Sequence, residues 1–211
     1  MSSKPFRTIS SLALPSFSPD DLEKLYRAAQ CFTIENIRFT PGGQIAVSGA
    51  SDDSMAGFTA LLRQFMQPLP ENGIGTLYPC PGAGACKHGL RDTAAIAEKI
   101  QSLDLKLPLP AKLKIGIAGC HRCCTMPRLR DIGLVPAGQG YNLYFGGNGG
   151  ANPRISDCIG EHLGSDEILD YIRASLAIYQ EHARPGMRTS RYIEQITIAV
   201  FRKKLQKRLF P

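Results

Sequence analysis

The sequence predicts an α+β fold in which a ferredoxin-like half-domain precedes a cysteine-bearing α/β segment. Three observations predict it. The order helix, strand, strand, helix fills the stretch before a linker marked by Pro68, Pro70 and Gly73. Beyond the linker, strands of apolar residues run directly into cysteine groups followed by helical patterns. The composition, 43% hydrophobic and 20% charged over 211 residues, is that of a globular chain and not of a disordered tail. The domains read as 1–70 for the half-domain, 71–185 for the cysteine-bearing domain and 186–211 for a basic C-terminal helix.

Residues 1–17 read as an extended lead-in. Ser18-Pro19-Asp20-Asp21 is a helix start: a hydroxyl cap, proline at the first position, acids in the first turn. That helix runs to about residue 30 with Leu22, Leu25, Tyr26 and Ala29 on one face. A β-rich run over 32–39, the turn Pro41-Gly42-Gly43 and a second run over 44–47 make a hairpin. The spacing of Phe58, Leu61, Leu62 and Phe65 predicts a helix over 53–66. Strands follow at 75–79, 112–118, 131–135 and 141–145, and a helix at 88–102. Ser165 caps a helix over 166–181 that Pro185-Gly186 ends, and one last helix is expected over 191–209.

No run approaches the ~18 apolar residues of a bilayer span. Lys4 and Arg7 precede only a short apolar stretch that serines interrupt and Pro15 stops, so no signal peptide is read and the cytoplasm is expected. The net charge is +7, and it is uneven. Residues 181–211 carry eight Lys/Arg against two Glu, a balance of +6, which leaves +1 for the rest. Such an end attracts polyanions or acidic proteins, or is simply a solvated helix face.

Seven cysteines and no export signal argue against a disulfide framework. Cys80 and Cys86 enclose Pro-Gly-Ala-Gly-Ala, and Cys120 and Cys124 enclose His-Arg-Cys. Each group follows a strand and is expected to open a helix, whose backbone N–H groups would offset thiolate charge. Four thiolates suit zinc or an iron–sulfur cluster. Zinc knuckles use shorter gaps, whereas a five-residue gap with small residues closes round a larger cubane. Unligated buried thiols are the remaining reading. Cys123 competes with its neighbours for a ligand role or is a packed free thiol, and the sequence assigns no role to Cys31 or Cys158.

At this point the chain resembles the sirohaem-dependent nitrite and sulfite reductases. C-x5-C followed by C-x3-C is similar to their cluster motif. Gly119-Cys120…Cys124 with Asp131-Ile132-Gly133-Leu134, Cys86-Lys87-His88-Gly89, and Gly146-Gly147-Asn148-Gly149-Gly150 with Pro153-Arg154 resemble their neighbouring segments. The likeness runs collinearly over roughly residues 20–185. It implies a [4Fe–4S] cluster on Cys80, Cys86, Cys120 and Cys124, with Cys124 also ligating sirohaem iron. It implies multi-electron reduction of a small oxyanion, sulfite to sulfide or nitrite to ammonia. Arg38, Lys87 and Arg122 are the implied substrate cations. Arg38, Gln44, Arg128, Arg130, Asn148 and Arg154 are the implied cofactor contacts beside Cys124.

Two departures stand out. Gly43 and Thr76 occupy places where the family commonly has arginine. They leave a second reading open, a non-catalytic [4Fe–4S] electron-transfer subunit of a reductase complex. Larger family members carry two such modules, so a homodimer or an unlike reductase subunit is expected here. The basic end suits an acidic electron donor such as a ferredoxin. Neither nucleic acid nor a membrane span is expected.

Overall fold

A computed structural model describes residues 6–9, 17–40, 44–64, 66, 74–103 and 108–211. The chain divides into two compact units, Met1–Leu69 and Pro70–Pro211.

In the first unit, β1 (Arg7–Ile9), β3 (Ile45–Ser48) and β2 (Asn36–Phe39) form an antiparallel sheet in that order, with α1 (Pro19–Cys31) and α2 (Asp52–Leu62) beside it. The predicted hairpin is present, with Arg38 opposite Ala46; its turn, including Gly43, lies outside the described residues. Ser18 caps α1 as expected. Its Oγ accepts from the Asp21 amide at 3.1 Å, and the Asp21 carboxylate accepts from the Ser18 amide at 3.0 Å. The Ser18 hydroxyl, donating to the Asp21 carboxylate at 2.7 Å, and the Ser18 amide together hold the Asp21 carboxyl below its ordinary range.

Three expectations are corrected here. The lead-in contributes a strand, β1, paired to β3. The strand expected over 32–39 starts only at Asn36, because α1 continues to Cys31 and turns at Phe32. The buried face of α1 is Leu25 and Ala28, while Leu22 and Tyr26 are exposed. Ile9, Leu25, Ala28, Ile45, Val47, Phe58, Leu62 and Met66 form this unit's core.

The second unit holds a five-stranded sheet in chain order: β4 (Ile74–Pro79), β5 (Leu113–Ile117), β6 (Ile132–Ala137), β7 (Gly140–Phe145) and β8 (Asp157–Leu163). β4, β5 and β6 run parallel, and β6–β7–β8 are antiparallel. The row Leu77–Ile115–Ile132–Phe145 points to one face, where Ile115, Ile132 and Phe145 join the main core. That core also takes residues of α4 (Thr93–Gln101), α5 (Ser165–His182), α6 (Thr189–Ile196) and α7 (Ile198–Leu209). Its ring stack runs from Phe201 to Phe145 at 4.8 Å, with Tyr179 and Tyr192 edge-on or tilted around it.

β8 had no strong alternation in sequence and is an addition. The helix expected over 88–102 starts at Thr93, where the Asp92 carboxylate caps it by accepting from the Ala94 amide at 2.9 Å. A separate single turn, α3 (Gly82–Ala85), precedes it. The N-cap of α5 is Gly164, one residue before the expected Ser165. The last helix is two helices, broken at Thr197, whose φ of 68° lies outside helical space. The break lets both halves bury a face: Tyr192 and Ile193 from one, Phe201 and Leu205 from the other. No helix among the described residues is long and apolar enough to cross a membrane.

Candidate metal centre

β4 and β5 are neighbours and parallel, so the residues that leave their C-terminal ends emerge at the same end of the sheet. Those residues are the two cysteine pairs. Open α/β sheets place their sites at this end. The Cys80 amide still donates to the Ile117 carbonyl at 3.0 Å, extending the strand pairing to the first cysteine.

The two cysteine loops are bound to each other by backbone. The amides of Leu90 and Arg91 donate to the Gly119 carbonyl at 2.7 and 3.2 Å, and Ala83 N–H donates to the Arg91 carbonyl at 2.9 Å. Thr93 Oγ1 donates to the Cys80 carbonyl. The Gly119 amide donates to Cys80 Sγ at 3.0 Å. Glycine makes this approach possible. A Cβ on Gly119 would stand 2.8 Å from Gly82 Cα and 3.1 Å from Cys80 Sγ, and one on Gly89 would stand 2.3 Å from the Gly82 carbonyl. Gly84 faces open space.

The second pair departs from expectation. No helix follows Cys124. The chain makes tight turns, with Cys123 and Met126 at φ of 52° and 51°, and then a 3₁₀ turn, Pro127–Leu129. Two left-handed non-glycine residues within four positions store backbone strain beside the thiols.

What holds that 3₁₀ turn is a glycine trough. Register aligns Tyr78, Gly116, Gly133 and Tyr144 across four strands on the face opposite the core row. Pro127 lies over the two glycines: a Cβ would meet its carbonyl oxygen at 2.2 Å on Gly133 and its Cα at 3.0 Å on Gly116. The arginines on either side lie on the flanking tyrosines, Arg130 4.4 Å over the Tyr78 ring and Arg128 5.2 Å over Tyr144. From outside, the glycine-rich loop grips the same turn. Gly147 N–H donates to the Arg130 carbonyl at 3.0 Å, and a Cβ on Gly147 would meet that oxygen at 2.4 Å. Ser156 donates to the Arg128 carbonyl through its amide at 2.8 Å and its hydroxyl at 3.0 Å.

The remaining site candidates fall into three groups. Lys87 and Arg122 are exposed on the two cysteine loops, with no hydrogen-bond or ion-pair partner among the described residues. Asn148 and Arg154 are engaged in shaping the glycine-rich loop. The Asn148 side chain binds the Asn152 carbonyl and the Gly150 amide, while Arg154 donates to the Gly146 carbonyl and pairs with Asp157 at 2.5 Å. Arg38 and Gln44 belong to the hairpin of the first unit, where Arg38 lies 4.2 Å over the Phe6 ring. Thr76 is buried.

Of the thiols, Cys120 is buried, Cys80, Cys86 and Cys123 are half-buried, and Cys124 is exposed. Burial pushes the Cys123 thiol up, and the nearby Cys120, Cys124 and Cys80 push it further, against Arg128. Among the described residues no three His, Cys, Asp or Glu side chains converge as one metal ion requires. Four thiols on two backbone-locked loops, a sulfur already accepting an N–H, and buried hydroxyls without partners at Tyr78 and Thr125 fit a larger, sulfur-rich group. Tyr78 and Tyr144, under Arg130 and Arg128, carry no sequence signal, since register alone aligns them.

Residues 71–210 match the family described as the nitrite and sulphite reductase 4Fe-4S domain. The chain is 32% identical over 186 residues to an assimilatory-type sulfite reductase of Nitratidesulfovibrio vulgaris, covering 88% of this chain and 85% of that one. It is 29% identical over 169 residues to a ferredoxin–nitrite reductase of Synechococcus elongatus, covering 74% of this chain but only 33% of that longer protein. Its fold is similar to that of the dissimilatory sulfite reductase DsrI, with a TM-score of 0.78 at 10% identity over 97% of this chain and 68% of the other. The chain belongs to the nitrite and sulphite reductase family, oxidoreductases built on a [4Fe–4S] cluster coupled to sirohaem.

Proposed function

We propose that this chain reduces a small oxyanion, sulfite to sulfide or nitrite to ammonia. The observation that carries the reading is the backbone junction of the two cysteine loops at the ends of adjacent parallel strands. Cys80, Cys86, Cys120 and Cys124 would hold the [4Fe–4S] cluster. Cys124, the exposed member of the four, would share its sulfur with sirohaem iron. When bound, the two groups supply stepwise electron delivery to one reduction site.

The chain's own residues supply charge and position. Lys87 and Arg122, exposed on the two loops, would bind the anion by charge-assisted hydrogen bonds. Arg128 and Arg130 offer their guanidinium faces to Tyr144 and Tyr78, which leaves edge N–H donors for haem carboxylates. Asn148 and Arg154 would act through the glycine-rich loop that holds the Cys124 turn. An acidic donor such as a ferredoxin would be attracted by Lys203, Lys204 and Lys207 of α7. The named relatives are reductases, which does not favour the reading as a non-catalytic subunit.

Protein purified without air should contain iron and acid-labile sulfide, show haem-type visible bands, and reduce sulfite or nitrite with a reduced dye. Cys124→Ser should lose both cofactors. Protein without iron and sulfide, or Cys124→Ser with both cofactors at full occupancy, overturns the reading.

A further inference from the structure

Tyr78 Oη and Thr125 Oγ1 are buried, and neither has a hydrogen-bond partner among the described residues. Buried hydroxyls are normally paired, so each marks an acceptor that the protein itself does not provide. The two belong to one assembly. Tyr78 lies in β4, two residues before Cys80, whose amide continues the pairing with β5 through the Ile117 carbonyl. Thr125 directly follows Cys124. Arg130 ties them together, with its guanidinium over the Tyr78 ring and its Nε donating to the Thr125 carbonyl at 3.3 Å. The segment from Cys124 to Arg130 lies on the same sheet face, through Pro127 over Gly116 and Gly133. In sequence, Thr125 adjoins Cys124 and Tyr78 stands two residues from Cys80, whose Sγ already takes one protein donor, the Gly119 amide.

We propose that the Thr125 hydroxyl, backed by that of Tyr78, donates a hydrogen bond to sulfur of the cluster site and raises its reduction potential. This rests on the cluster reading above. A reduced cluster carries one more negative charge than an oxidised one, so a donor to its sulfur stabilises the reduced state more. A threonine hydroxyl rotates to suit its acceptor. Arg130 is a positioning residue, fixing the Thr125 backbone against the Tyr78 ring.

The test is a redox titration of the anaerobic, cofactor-loaded protein, followed by the cluster's electron paramagnetic resonance signal. Thr125→Val, which keeps the shape and removes the hydroxyl, should move the midpoint to a more negative potential. Tyr78→Phe should move it the same way, and Thr125→Ser should hold it near wild type. A loaded Thr125→Val protein with the wild-type midpoint overturns the proposal. So does a serine variant shifted as far as the valine one, since the methyl group would then be responsible. Thr125→Ala replaces the valine variant if that takes up no cluster. The wild-type protein gives a second reading that needs no variant. Brief exchange into heavy water replaces hydroxyl protons before buried amides, and should shift the Fe–S stretching bands in resonance Raman spectra. Unshifted bands overturn the hydroxyl's role alone, whereas a wild-type protein without iron and sulfide overturns the cluster reading as well.

Discussion

At the scale of single residues, neighbouring cysteines are given different work by backbone geometry. Cys123 and Cys124 are adjacent, yet Cys123 is half-buried in a left-handed turn with its amide on the Cys120 carbonyl at 3.3 Å, and Cys124 is exposed. Burial pushes the Cys123 thiol up, and Cys123 stands outside the C-x5-C and C-x3-C pairs. Cys123→Ser is therefore expected to retain full iron and sulfide by chemical assay, where Cys124→Ser loses them. The arginines divide in the same way. Arg154, committed to two carbonyls and Asp157, is a loop brace, whereas Lys87 and Arg122 have no hydrogen-bond or ion-pair partner among the described residues.

Among elements, the decisive one is the 3₁₀ turn Pro127–Leu129. It has few internal hydrogen bonds and owes its place to what encloses it: the glycine trough of β5 and β6 beneath, and the glycine-rich loop outside. Asp131, just past the turn, anchors the far side. It is fully buried, accepts from the Lys114 amide at 2.8 Å and the Thr189 hydroxyl at 2.6 Å, and pairs with Arg188. A methyl group on Gly133 has nowhere to go but into the Pro127 carbonyl. Gly133→Ala should cost about 1–3 kcal/mol as overpacking, read by denaturant unfolding. It should also lower cluster occupancy while far-ultraviolet circular dichroism stays native. Unchanged occupancy would mean that the turn does not seat the cysteines.

On the scale of the whole chain, charge and packing share the C-terminal segment. Phe201 and Leu205 are buried in the core of the second unit, so this segment cannot be cut away without opening that core. Arg208 pairs with Glu181 at 2.6 Å, and Arg202 donates to the Cys158 carbonyl. Lys203 and Lys207 line an open groove of about 480 Å³ with Ile159, Tyr171 and Phe210. The double substitution Lys203→Glu/Lys207→Glu leaves the buried residues untouched. It should slow reduction by an acidic protein donor, with the salt dependence of that rate lost, and leave reduction by a small dye unchanged. Equal slowing with both donors would make these lysines structural.

The residue types and their spacing determined the chemistry of this protein. Two cysteine pairs at strand ends, the glycines around them and the family they resemble are all written within short windows of sequence, because ligand spacing and close backbone approach are local requirements. The cap of α1 and the hairpin of the first unit were readable for the same reason. Tertiary structure decided what depends on register and burial. β1 and β8 exist because of the strands they pair with, and the terminal helix breaks at Thr197 so that both halves can bury a face. Arg128 and Arg130 lie on tyrosines distant in sequence only because three parallel strands and one antiparallel neighbour align Tyr78, Gly116, Gly133 and Tyr144 in one row. Such an alignment is a property of pairing between segments, and no single segment carries it.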